Sequence, residues 1–200
     1  MEILKKESVS RYNWAIFMSG WGRSAVKTLE LQKEGRLNDS RISVVVYEAE
    51  KNGITELCRE LNIPAVKLVK KDFPDHESYY AELQKVLQKH NVDYIFLLGY
   101  KHIIREPFLS RYENRIVNIH PALLPAFRGK RAIQQAMEYG VKITGLTTHL
   151  IDAELDEGTI LCQRCIPIKE GQTFDELDLR FVKEGKEIIE ETFQTIENYE

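Results

Sequence analysis

Trp14-Ala15-Ile16-Phe17-Met18-Ser19-Gly20-Trp21-Gly22-Arg23-Ser24-Ala25 is an apolar run that stops at two glycines and passes into a helical pattern. Trp14–Met18 reads as a strand. From about Ala25 to Glu34 the apolar positions Val26, Leu29 and Leu31 suit a helix. The same alternation then repeats along the chain. Ile42–Tyr47 is a β-branched run continuous enough for a strand buried on both faces. Ile54–Leu61 reads as helix, and Ala65–Leu68 as a brief strand after Pro64. Asp75–His90 is a clear helix with Tyr79, Leu83 and Val86 or Leu87 on one side. Tyr94–Leu98 and Ile116–Ile119 are further strands. Strand and helix in turn point to an α/β, Rossmann-like doubly wound domain with a mostly parallel sheet.

The last third has a different rhythm. Ala132–Tyr139 suits a helix that Gly140 stops. Lys142–Leu150 and Thr159–Ile168 read as strands joined by the acidic loop Asp152–Gly158, an antiparallel C-terminal extension of the sheet. A long helix from about Thr173 to Asn198 closes the chain, with Asp175 and Glu176 placed favourably in its first turn.

Two hundred residues fit one domain, 1–200, and residues 1–12 read as an N-terminal extension, disordered or covering a sheet edge. With 43% hydrophobic and 30% charged residues and a net charge of −3, the chain lacks the basic stripe of a nucleic-acid binder. Three cysteines make no disulfide framework, so a reducing compartment is expected. Met1–Arg11 is polar, and no apolar run reaches membrane-spanning length. The expectation is a cytoplasmic protein with neither membrane nor nucleic-acid partners.

Ligands of doubly wound sheets bind beyond the carboxyl ends of the strands. Gly20, Gly99 and His120 all lie at such ends, so their loops are expected to face one crevice. Gly20-Trp21-Gly22-Arg23-Ser24-Ala25 is a G-x-G-x-x-A loop that brings backbone close to an anion at a helix N-terminus; a tight structural turn is the alternative. A dinucleotide site wants an acidic residue about 20 positions further on, and Glu48 falls later than that. Cys162-Gln163-Arg164-Cys165 has metal spacing, but residues three apart on a strand face opposite sides, so no metal is expected. His76 and His90 sit in polar surroundings near helix ends. His102 follows a strand end and is read either way, as a ligand contact or as a bystander. His149 reads as a hydrogen-bonded structural histidine near the site.

The chemistry concentrates in Asn118-Ile119-His120-Pro121, and in Asp156 within Glu154-Leu155-Asp156-Glu157-Gly158. An amide can donate to an oxyanion, an imidazole can carry charge or a proton, and a carboxylate sets the imidazole's charge. Brought together, the three make a working set for acyl transfer.

Asn118-Ile119-His120-Pro121-Ala122-Leu123-Leu124-Pro125, with Gly145-Leu146-Thr147-Thr148-His149 and Glu154-Leu155-Asp156-Glu157-Gly158, resembles the folate-dependent formyltransferase family from about Asn13 to the last helix. The resemblance implies the formyltransferase fold and transfer of a formyl group from 10-formyltetrahydrofolate, a co-substrate, to a primary amine without any metal. Asn118, His120 and Asp156 match the family's catalytic trio. It also implies folate contacts at Tyr100, Lys101, His102, Ile103 and Ile104 and at Asp152. A phosphorylated small-molecule amine would lie at Gly22, Arg23 and Ser24, with Glu184 near its ribose. The pattern points to glycinamide ribonucleotide, in purine synthesis, as acceptor, with an amino-sugar nucleotide as the alternative. From another class, a non-catalytic folate- or nucleotide-binding module leaves Asn118, His120 and Asp156 unexplained. The purine-synthesis members usually read S-G-x-G-S-N in the first loop, where this chain has Trp21, Arg23 and Ser24. Either a monomer or a homodimer is compatible with the sequence.

Overall fold

Strand β1 (Tyr12–Met18) is apolar on both faces, with Trp14, Ile16 and Met18 on one and Ala15 and Phe17 on the other, all fully buried. Such a strand belongs at the centre of a sheet covered on both sides. In the computed structural model, which describes residues 11–199, β1 pairs in parallel with β2 (Ser40–Tyr47) and β4 (Tyr94–Leu97). The short β3 (Ala65–Lys67) adds to β2, and β5 (Ile116–His120) adds to β4, both in parallel. Then the direction reverses: β6 (Ile143–Leu150) and β7 (Ile160–Pro167) are antiparallel. The seven-stranded sheet runs β3-β2-β1-β4-β5-β6-β7, as the alternation of elements and its C-terminal break had implied. Of the expected N-terminal extension, residues 1–10 lie outside the described residues, and Tyr12 is already in β1, opposite Ser40.

Helices α1 (Arg23–Lys33) and α6 (Phe174–Tyr199), with the short α2 (Thr55–Glu60), cover one face. Its centre is Trp14, stacked 4.8 Å from Tyr94 and edge-on to Phe193 at 4.7 Å. The indole N–H donates to Ser40 Oγ at 3.1 Å, so the polar end of this buried ring is satisfied. Helices α3 (His76–Lys89) and α4 (Phe108–Arg111) cover the other face, packing Tyr79, Leu83 and Leu87 on Ala15, Phe17, Ile95 and Leu97. A third cluster joins Ile133 of α5 (Ala132–Tyr139) to Leu146, Ile166 and Phe181.

Caps fix the helix starts. Asp75 accepts from Ser78 N at 2.7 Å ahead of α3. Thr173 and Glu176 exchange bonds ahead of α6, Thr173 N donating to Glu176 Oε2 at 2.9 Å and Glu176 N to Thr173 Oγ1 at 3.3 Å. Between β1 and β4 the strand order reverses, and the loops at their carboxyl ends are stapled there. Ser19 N donates to Gly99 O at 3.2 Å and Lys101 N to Ser19 Oγ at 3.1 Å. Among the described residues no helix is long and apolar enough to cross a membrane.

Candidate active site

The register of β5 against β6 sets Asn118 opposite His149 and His120 opposite Thr147. Alternation along the strands brings all four side chains to one face. Asn118 Nδ2 lies 3.2 Å from His149 Nε2. The other ring nitrogen of His149, Nδ1, donates to Leu150 O at 3.0 Å. In neutral His149, Nε2 is therefore the acceptor, and the Asn118 amide must turn its NH₂ toward it. One of the two amide hydrogens is used in this way, and the other is left for a reacting oxygen.

Asp156 comes from the loop between β6 and β7 and holds a left-handed φ of 55°. The turn works because Gly158 follows: any Cβ there would run into the Leu150 carbonyl. Asp156 Oδ2 accepts from Gly129 N at 2.8 Å and lies 3.5 Å from His120 Nδ1, while Oδ1 lies 3.6 Å from His149 Nε2. The two imidazole distances are ion-pair distances, longer than a charge-assisted hydrogen bond. Burial pushes the Asp156 carboxyl up, but His149, the Gly129 N–H and His120 together outweigh it and hold the group below 3.8. A proton on His149 Nε2 pairs with Asp156 and opposes the Asn118 N–H, so the charge of His149 and the orientation of Asn118 are linked.

His120 is only 4% exposed, and its Nε2 donates to Phe127 O at 2.8 Å. With one proton committed there, only the doubly protonated ring offers a donor to Asp156. The ring's other nitrogen, Nδ1, faces this carboxylate. Phe127 and Arg131 are left-handed, at φ 54° and 61°, in the loop that curls over His120. Backbone held in this region without glycine is concentrated at working sites. Fully buried Thr147 pins the same loop: its Oγ1 donates to Ala122 O at 2.7 Å and accepts from Leu124 N at 3.0 Å and Gln163 Nε2 at 3.1 Å.

Beside the strand end lies a cavity of about 290 Å³. It reaches Gly99, Ile119 and Pro121, the last two flanking His120 in the chain, and it is also lined by Arg23, Ser24 and Lys27 of α1. Ile133, Leu146 and Phe181 form an apolar wall, and Asp178 and Gly185 of α6 complete it. Gly22 opens α1 at φ +87° without a side-chain cap; a Cβ there would come within 2.6 Å of Met18 Sδ. Glu184 is not among the lining residues. Its carboxylate is held by Arg164 Nε at 3.1 Å, and the helix turns Asp178 and Gly185 to the cavity instead.

Loop 100–104 leaves the end of β4, and Ile151 N donates to Ile116 O at 2.9 Å, so loop 152–158 starts beside β5. Ile116 is the first residue of β5, so this loop begins at the strand's amino end and reaches His120 through Asp156. Tyr100 is tied to Tyr79, hydroxyl to hydroxyl, at 2.6 Å, and Ile104 is buried while Ile103 is exposed. His102 is held by Glu48, Nε2 to Oε1 at 2.8 Å, and Lys101 Nζ lies 3.1 Å from Oε2 in too bent a geometry for a hydrogen bond. Burial acts to raise the Glu48 pKa, but His102, Ser19, the Lys70 N–H and Lys101 draw it down to about 2. Glu48 is therefore occupied as an internal anchor, which removes the acidic residue a dinucleotide site requires. Asp152 accepts from Glu154 N at 3.0 Å, a local turn. Among the described residues no group of three or more His, Cys, Asp or Glu side chains is arranged to hold a metal ion, and Cys162 is half-buried while Cys165 is exposed.

The family model for formyl transferase matches residues 12–193. The chain belongs to the formyl transferase family. The chain is 32% identical to the phosphoribosylglycinamide formyltransferase of Bacillus subtilis, over 85% of this chain and 87% of that one. It superposes on a glycinamide ribonucleotide transformylase of Symbiobacterium toebii with a TM-score of 0.85 at 36% identity, over 91% of this chain and 85% of the other. It is also 31% identical to the trifunctional purine biosynthetic protein adenosine-3 of Gallus gallus over 90% of its own length, yet spans only 18% of that protein. The structure brings together Asn118, His120 and Asp156, the three residues that the motif singles out. His149, read from the sequence as a hydrogen-bonded histidine near the site, lies beside Asn118 and Asp156, whereas two other parts have no sign in the sequence: the pinning by Thr147 and the presence of Asp178 in the cavity wall.

Proposed function

We propose that the chain transfers the formyl group of 10-formyltetrahydrofolate to the amine of glycinamide ribonucleotide, a step of purine synthesis. The observation that carries this reading is the Asn118–His149–Asp156–His120 cluster at the end of β5, next to a cavity with Arg23 and Lys27 in its lining. In the reaction the amine nitrogen attacks the formyl carbon, and the carbonyl oxygen becomes an oxyanion. The free Asn118 N–H and the His120 imidazolium stabilise that charge, each such donor contributing roughly 3 kcal/mol. The bond from carbon to the folate N10 then breaks. The ionised Asp156 accepts the amine's proton, directly or through a water, and the proton passes to N10. Once a substrate oxygen competes for it, His120 exchanges its Phe127 carbonyl partner for that oxygen.

Arg23, Ser24 and Lys27 supply the recognition of a phosphate, and loops 100–104 and 152–156 flank the folate side. The names of the relatives support glycinamide ribonucleotide as acceptor. The test is spectroscopic release of tetrahydrofolate with glycinamide ribonucleotide, compared with a panel of amino-sugar nucleotides. A kcat/KM for glycinamide ribonucleotide at least a hundredfold above every sugar nucleotide is expected; a sugar nucleotide in first place overturns the acceptor assignment.

A further inference from the structure

Arg23 and Asp178 meet across the acceptor cavity from two helices that are 155 residues apart in the chain. The contact is a fork: Nη1 donates to Oδ2 at 2.6 Å and Nη2 to Oδ1 at 3.1 Å. A guanidinium has five N–H groups, so the fork leaves Nε–H and one hydrogen on each Nη without a role. The arginine side chain is 54% exposed, and a pair so open to solvent adds little to the stability of the fold. What the fork does provide is orientation. A lone arginine on the first turn of α1 samples many rotamers, and a bidentate carboxylate selects one before a ligand arrives.

We propose that Asp178 is a positioning residue, which holds the Arg23 guanidinium so that its remaining N–H groups receive the anionic end of the acceptor. This rests on reading the cavity as the acceptor's. Three features on the same side agree on the sign of the ligand. Ser24 and Lys27 stand beside Arg23, and α1 has neither a side-chain cap nor an acidic residue in its first turn. Lys27 Nζ is bonded to Glu30 at 3.1 Å, which draws part of its charge toward that carboxylate and leaves the planar Arg23 fork as the oriented cation beside it. Ile119 and Pro121 of the same cavity flank His120 in the chain, and this is the side on which we place the acceptor's amine. The acceptor class is therefore an amine carrying a phosphate or carboxylate terminus, and discrimination occurs at that terminus.

The experiment has two readouts on the full chain. In steady-state kinetics, Asp178→Ala raises KM for glycinamide ribonucleotide about tenfold while kcat and the folate KM stay within twofold. Arg23→Ala does the same, and adding Asp178→Ala to it has no further effect. The exchanged pair Arg23→Asp with Asp178→Arg rebuilds an ion pair between the helices, so a purely structural bridge predicts a restored KM, whereas positioning predicts that it stays raised. Calorimetric titration with ribose 5-phosphate needs no turnover, and Asp178→Ala weakens it about tenfold. Equal binding by both proteins, no binding by the wild type, or full rescue by the exchanged pair overturns the proposal. Ribose 5-phosphate binding that depends on Asp178, without turnover of glycinamide ribonucleotide, instead sinks the acceptor assignment alone.

Discussion

Asn118 has two amide hydrogens, and the chemistry turns on which way they face. His149 decides this, because Nδ1 is committed to the Leu150 carbonyl and neutral Nε2 can only accept. Replacing His149 by leucine leaves Asn118 free to rotate and removes the imidazole from beside Asp156. The expected outcome is a kcat lower by roughly 10- to 100-fold at nearly unchanged KM values, with His149→Gln recovering part of the loss through its side-chain oxygen. Stopped-flow rates with circular dichroism as a folding control check it, and an unaltered kcat in His149→Leu removes the orienting role. Asp156, held below 3.8, stays ionised from pH 5 to 8, so an acid limb of the rate in that range belongs to another group.

At the scale of the elements, what could be read from the chain follows burial. β1, β2 and β4 are apolar runs because both of their faces are covered, and their positions are visible without any partner. β3 has only three residues, half-buried or exposed, and reads as a brief strand from its place after Pro64 rather than from a buried pattern. Helix α1 begins at Arg23, two residues ahead of its apolar periodicity, because the left-handed Gly22 turns the chain straight into the helix. That shift places Arg23 and Ser24 on the first helical turn. The loop after His120 has two prolines and a glycine as warning of order, but its path is set by Thr147 and Asp156 from β6 and the loop beyond it. No local pattern could have announced those contacts.

At the scale of the whole molecule, the site was legible where a motif holds its residues together and hidden where distant segments meet. Asn118 and His120 are two residues apart, whereas Arg23 with Asp178 and Glu48 with His102 are tied only by the folded sheet. Glu48 gives this anchoring a measurable signature. Its folded pKa of about 2 lies below the ordinary 4.5, so its stabilising effect is complete above 4.5 and is lost as pH falls toward 2. Glu48→Gln is expected to lower Tm at pH 7 by roughly 4–8 °C, equivalent to about 2 kcal/mol, with the gap narrowing below pH 4.5. Thermal scans across pH check this, and a gap independent of pH contradicts the anchor. The most direct test of the account is the single-turnover rate of formyl transfer to glycinamide ribonucleotide in wild type and Asp156→Asn, both substrates saturating. A fall of about a thousandfold with substrate binding intact is predicted. Retention of more than about a tenth of the wild-type rate would contradict a proton-accepting role for this carboxylate.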